Sequence, residues 1–179
     1  MLSGYCPWKS IRILLNKGFN SISEKAEALP PKQLSSAFGQ IINFLGTLQN
    51  EWAATQEFSS FDTYLAPFVR LMDFFIIKLS NVFKLIHNFN VPSRYGTQTP
   101  FTNLTFDWVC PDDLKNSIPL IGGVEANFTH GELQKEMDML NRAYIEVMKE
   151  GYSKGRVFTF PISIYNITKD FPWESENAL

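Results

Sequence analysis

Three stretches predict an α/β fold with parallel strands. FTNLTFDWV (Phe101 to Val109) alternates Leu104, Phe106 and Trp108 against Asn103, Thr105 and Asp107, the period of a strand with one apolar and one polar face. THGELQKEMDMLNRAYIEVMKEG (Thr129 to Gly151) places Leu133, Met137, Leu140, Tyr144 and Val147 on one helical face. GRVFTFPISIYNITKDFPW (Gly155 to Trp173) alternates like a buried strand, beginning at Val157. A strand, a long helix and a second strand make a βαβ unit, whose crossover requires parallel strands. Such a unit has two open edges, so it belongs to a larger α/β sheet or barrel.

The elements follow in chain order. Pro30 and Pro31 precede a first helix expected over Ser35 to Gln56, where Ile41, Leu45, Leu48 and Trp52 define a face widened by Phe38, Ile42 and Phe44. A second helix is expected from about Asp73 to Phe89, with Phe74, Ile77, Phe83, Ile86 and Phe89 inward. It stops near Asn90, because Val91 precedes Pro92 and is pushed from the helical region. After the strand at Phe101, Pro111-Asp112-Asp113 and Gly122-Gly123 punctuate a loop. Thr129 with Glu132 has capping-box spacing, and Gly151 is a natural end for the helix they open.

Composition bounds the function. The 179 residues suit one domain, and 45% hydrophobic content with 15% aromatics, including 16 Phe, suits a large core or interface. A net charge of −2 offers no basic field for nucleic acid or an anionic membrane. The most apolar window, Phe74 to Ile86, is interrupted by Lys78 and Lys84 and is too short to span a bilayer. MLSGYCPWKS lacks the charged start and apolar run of a signal peptide, so a reduced, cytoplasmic protein is expected. The two cysteines, Cys6 and Cys110, form no CxxC and no Cys/His cluster, so no metal site is expected.

Chemistry-bearing residues are few. Cys6 and Cys110 each read first as a small buried apolar residue. His87 reads as a core or edge histidine and His130 as solvent-facing; with only these two histidines, a triad has little support. Thr97 to Asn103 offers hydroxyls and amides that bind sugar or phosphate, or that serve turn chemistry. Arg94 stands alone as a phosphate ligand, and neither GxxxxGK[ST] nor GxGxxG occurs. Asp107, Asp112 and Asp113 sit where a strand ends in a turn, which favours Asp without any catalytic role.

Five stretches taken together resemble the anaerobic (class III) ribonucleoside-triphosphate reductases: GYCPWKSIRILLNKGFN, FGQIINFLGTLQNEWAATQEFSSFDTYLAPFVR, VPSRYGTQTPFTNLTFDW, GELQKEMDMLNRAYIEVM and GRVFTFPISIYNITKDFPW. They occur in the family's order and cover nearly the whole chain. The resemblance implies a partial ten-stranded α/β barrel of the glycyl-radical enzyme type. Residues 1–179 would then be part of a single catalytic barrel domain, incomplete at both ends. In that family an activating radical SAM enzyme installs a glycyl radical, which passes to a cysteine at the barrel centre. The thiyl radical abstracts hydrogen from the ribose, and the 2′-hydroxyl leaves as water. Formate or a thiol supplies reducing equivalents, and allosteric nucleotides bind elsewhere.

Carried over by residue, the resemblance makes Cys6 an active-site cysteine facing the thiyl position. It makes Gln98, Thr99 and Asn103 candidate substrate contacts on a barrel strand. Cys110 matches no catalytic position. Departures include Pro7-Trp8-Lys9 where the family has Ala-Gly-Trp, and Thr97 where it has a second Gly. The family's thiyl cysteine follows NITKDF and lies past Leu179. The expected partners are therefore ribonucleoside triphosphates, the activase and the remaining parts of a split reductase, with the isolated chain inactive. The other expectation is a non-catalytic remnant or interaction module.

Overall fold

The computed structural model describes residues 8–19, 28–48, 55–71, 79–91, 101–152, 155–169 and 171–175. The elements are β1 (Trp8–Lys9), α1 (Ile11–Lys17), α2 (Leu34–Leu48), β2 (Gln56–Phe58), α3 (Phe61–Arg70), α4 (Leu79–Asn90), β3 (Thr102–Phe106), β4 (Leu120–Ile121), β5 (Val124–Glu125), a 3₁₀ turn (His130–Glu132), α5 (Gln134–Glu150) and β6 (Ile162–Tyr165). Strands β1, β2, β3 and β6 form one four-stranded sheet in that order, and every pairing is parallel. The fold is thus mixed α/β with a parallel sheet. The described sheet has these four strands, and a ten-stranded ring is not among the described residues. β4 and β5 make a separate antiparallel hairpin, where Gly122 and Gly123 both hold positive φ, at 61° and 81°. Two successive positive φ angles are what a tight primed turn needs, and glycine reaches them without strain.

The βαβ unit is present as expected. β3 and β6 pair in parallel through Asn103↔Ile162, Leu104↔Ser163, Thr105↔Ile164 and Phe106↔Tyr165. Between them, α5 buries Met137, Leu140, Tyr144 and Val147, with Leu133 buried just ahead of it. The Glu132 carboxylate accepts the Thr129 backbone N–H at 2.9 Å, so the capping box forms, but it closes a 3₁₀ turn and α5 begins only at Gln134. Gly151 ends α5 at φ 67°, its N–H donating to Val147 O.

The second strand departs from expectation. Val157 is 76% exposed and lies outside any strand, and pairing starts at Ile162. Nor is the strand buried: Ile162 and Ile164 are 50% and 37% exposed. β6 is last in the strand order, so one edge of it has no strand beside it among the described residues. The run ahead of it is held by α4, where Asn90 Oδ1 accepts the N–H groups of Thr159 and Phe160 at 2.9 and 3.0 Å.

The first half holds more elements than the periodicity predicts. α2 ends at Leu48, and Gln56, expected at the helix end, begins β2. Gln56 N donates to Phe101 O at 2.8 Å, so sheet pairing overrides the helical pattern there. Trp52, Phe74 and Ile77 lie outside the described residues. α4 starts at Leu79 and stops at Asn90 as predicted, burying Val82, Leu85, Ile86 and Phe89. α1 and α3 were not expected, and α3 carries Pro67 inside it. Proline has no N–H to offer the carbonyl four residues back, which is that of Thr63. The helices and the sheet enclose one main core in which Phe58, Phe61, Phe68, Phe89 and Phe106 are fully buried. No described helix is long and apolar enough to cross a membrane.

Candidate active-site face

Strand register sorts the sheet residues onto two faces. Glu57 pairs with Asn103, and Asn103 with Ile162. Partners in register share a face and neighbours in sequence do not. Glu57, Asn103, Thr105, Ile162 and Ile164 therefore share one face. Phe58, Leu104, Phe106, Ser163 and Tyr165 share the other, against the helices: Phe106 meets Phe61 of α3 and Tyr144 of α5, and the Tyr144 hydroxyl lies 2.7 Å from Ser163 Oγ. The first face is more open and mixes polar and apolar side chains. On it Thr105 Oγ1 donates to Glu57 Oε1 at 2.9 Å. Asn103 Oδ1 is buried and has no hydrogen-bond partner among the described residues.

At the C-terminal ends of β3 and β6 a buried polar network fixes the chain. Asp62, fully buried in the first turn of α3, accepts four hydrogen bonds. Its Oδ1 takes the N–H groups of Thr63 and Asp107, at 3.0 and 2.9 Å, and its Oδ2 takes Trp108 N and Asn141 Nδ2, at 2.9 and 3.0 Å. Asp107 is buried too, accepting from Thr63 Oγ1 at 2.7 Å and from Asn166 Nδ2 at 2.8 Å. Burial pushes the Asp62 carboxyl above the ordinary carboxylate value, and the donors from Asp107, Asn141 and Trp108 oppose that push. A buried carboxylate that accepts four hydrogen bonds is a structural anchor. It joins α3, α5, the end of β3 and, through Asp107, the chain leaving β6. Ser60 and Trp108, at φ 52° and 64°, are the two described non-glycine residues with positive φ, and both flank this network. Trp108 is held on each side, its N–H by Asp62 and its carbonyl by Gln134 Nε2 at 2.8 Å. Such bonds offset the roughly 1–3 kcal/mol that a left-handed non-glycine residue costs.

Of the expected site residues, Asn103 lies on the open face. Cys6, Gln98 and Thr99 lie outside the described residues. Cys110 is buried, as its reading as an apolar residue requires; burial first, then the charge of Asp107, pushes its thiol up to about 11. At that value it is a protonated, inert thiol at neutral pH. His87 sits at the core edge, its ring stacked on Phe83.

His130, expected to face solvent, is 5% exposed. Its Nδ1 lies 3.2 Å from Thr63 O, the carbonyl that Pro67 cannot serve. A carbonyl only accepts, so Nδ1 carries the proton. The pairing explains the burial: the imidazole satisfies an acceptor that the proline leaves open. Burial pushes the His130 pKa below its ordinary 6.5. A native state that disfavours the proton is stable above the unfolded pKa, and that stability is lost as pH falls from about 6.5 toward the depressed value. His130→Asn keeps a donor in reach of Thr63 O without the titration. Urea midpoints across pH 4.5–8 should therefore fall more steeply on acidification for the wild type than for this variant. Parallel profiles would contradict the role.

Sequence reading missed Glu57, Asp62, Asn141 and Asn166. Asp62 had one available signal, an Asp in the first turn after Ser59-Ser60, where negative charge suits a helix start. Glu57 had none, since β2 is three residues long, too short a run for a strand period to be read from the sequence.

A family model described as anaerobic ribonucleoside-triphosphate reductase matches residues 1–179. Solved structures agree on the fold. The anaerobic ribonucleotide reductase from Thermotoga maritima in complex with dATP and CTP superposes with a TM-score of 0.68 at 22% identity, over 89% of this chain and 27% of that one. The same enzyme with dATP bound in the specificity site gives 0.70 at 20% identity, over 92% and 28%. A further anaerobic ribonucleotide reductase gives 0.71 at 20% identity, over 92% and 26%. The chain thus spans just over a quarter of the length of the reductases it matches. No match was found among curated proteins. With the family matched from the first residue to the last, and the parallel sheet superposing on solved members, this chain belongs to the anaerobic ribonucleoside-triphosphate reductase family.

Proposed function

We propose that residues 1–179 form part of the catalytic α/β barrel of an anaerobic reductase in the cytoplasm that converts ribonucleoside triphosphates to 2′-deoxyribonucleoside triphosphates. The open sheet face would be the inner wall of a ten-stranded barrel, with Cys6, Gln98, Thr99 and Asn103 at the substrate. The observation that carries this reading is Asn103: its amide oxygen is buried on the open face of a parallel sheet and lacks a donor. A buried acceptor costs about 1–3 kcal/mol when unpaired, and a ligand donor at this face would relieve that cost. Ile162 and Ile164 on the same face put an apolar strip beside Asn103, against which the C–H face of a sugar could pack.

The glycyl radical of the family, installed by a radical SAM activase, supplies the hydrogen-abstracting chemistry, and formate or a thiol the electrons. No residue of this chain is given the radical. The chain's part is to hold the sugar and to present the Cys6 thiol beside it. Anaerobic incubation of the complete activated reductase containing this chain, with each ribonucleoside triphosphate and formate or a dithiol, tests the reading by mass spectrometry of the nucleotide. A 2′-deoxy product is expected, and Cys6→Ala should abolish it while nucleotide binding persists. Undiminished turnover by Cys6→Ala would remove Cys6 from the site; no deoxynucleotide from the unaltered enzyme would overturn the function.

A further inference from the structure

We infer that Glu57 is a second substrate-binding residue, forming with Asn103 an acceptor pair for the vicinal hydroxyls of a ribose. The inference rests on the open face being the substrate face, and it adds a residue and the sugar chemistry that the pair selects. Glu57 and Asn103 are register partners on adjacent parallel strands and point to the same side. Neighbouring strands lie about 4.7–4.9 Å apart, so the two side chains reach one ligand together. Thr105 Oγ1 donates to Oε1 of Glu57, which orients the carboxylate. Oε2 has no partner among the described residues, and Asn103 Oδ1 has none either.

Both unpartnered oxygens therefore accept. A phosphate or carboxylate brings only acceptors and is repelled by Glu57, so it does not fit here. A vicinal diol brings two donors on neighbouring carbons and fits both positions at once. The flanking Ile162 and Ile164 suit the C–H faces of a sugar ring better than a metal ion, which would want more than one carboxylate. The charge on Glu57 makes its bond the stronger of the two, since hydrogen bonds to ionised acceptors are roughly twice as strong as neutral ones.

The test is discrimination between adenosine and 2′-deoxyadenosine by the full chain, read as dissociation constants from calorimetry or tryptophan fluorescence. The wild type should prefer adenosine by about tenfold, the size of one charge-assisted hydrogen bond. Glu57→Gln keeps the shape and the Thr105 bond, and Glu57→Asp withdraws the charge by one methylene. Either variant, once circular dichroism shows it folded, should lose most of the preference and bind 2′-deoxyadenosine as the wild type does. An unchanged preference in a folded variant would overturn the role of Glu57 and leave the substrate face intact. Failure of the wild type to bind either nucleoside would overturn the substrate face, and this inference with it.

Discussion

Asp62→Ala is expected to remove about 3–5 kcal/mol of folding stability, a large share of the 5–15 kcal/mol typical of a domain. The substitution strands four donors at once: the N–H groups of Thr63, Asp107 and Trp108, and the amide of Asn141. Each buried donor left unpaired costs about 1–3 kcal/mol, and water entering the vacated volume recovers part of that. The loss also reaches the strained Trp108, which would then keep only its carbonyl bond to Gln134. Asp62→Asn is not a benign control, because its amide would set N–H groups against N–H donors on one side. It should cost at least half as much. Urea titrations with an unchanged slope check both variants, since a shift of midpoint at constant slope reports stability alone. A midpoint within experimental error of the wild type for Asp62→Ala would show that the network carries no net stability.

The second half of the fold was legible because its patterns are long and locally consistent. α5 repeats its apolar positions over seventeen residues between a capping box and a glycine, and the apolar side of β3 agrees with a core behind it. The first half resisted for opposite reasons. β1 and β2 are two and three residues long, and a parallel strand is defined by partners distant in sequence. α3 holds a proline that argues against a helix, and the tertiary contact from His130 compensates for it. The burial of His130 follows from the same contact.

The site divides in the same way. Asn103 was visible because it stands in the polar Thr97–Asn103 segment, which resembles the family's QTPFTN. Glu57 lies 46 positions away from it and becomes its neighbour only through the register of β2 on β3. Asp62 and Asp107 meet through backbone N–H groups, which carry no residue identity, so their pairing leaves no trace in composition or spacing. Polar residues on a strand were equally compatible with a solvated face and with a buried network. The fold resolves this by closing α3 and α5 over Asp107 while leaving Glu57 and Asn103 on the open side.

Phe106→Ala should cost about 3–5 kcal/mol, comparable to the loss of Asp62 but by a different mechanism. Phe106 is fully buried and touches three elements through rings: Phe61 of α3 at 5.7 Å between centroids, Tyr144 of α5 at 4.7 Å and Tyr165 of β6 at 5.4 Å. Truncation leaves a cavity walled by three aromatic side chains that are anchored in separate elements, so the walls cannot close together. Phe106→Leu fills most of that volume and should cost under about 1.5 kcal/mol. Phe101, 56% exposed and packed on Phe160, is the matched control just ahead of β3, where truncation should cost well under 1 kcal/mol. The consequence for the site follows from the backbone. Asn103 and Thr105 share β3 with Phe106, and Asn166 N donates to Phe106 O at 2.9 Å. Loosening Phe106 therefore loosens the strand that sets Asn103 beside Glu57. Amide hydrogen exchange across Thr102–Phe106 should accelerate in Phe106→Ala and hardly change in Phe101→Ala. If both variants exchange alike, β3 is held by its ladder rather than by the ring, and the open face owes its geometry to the sheet alone.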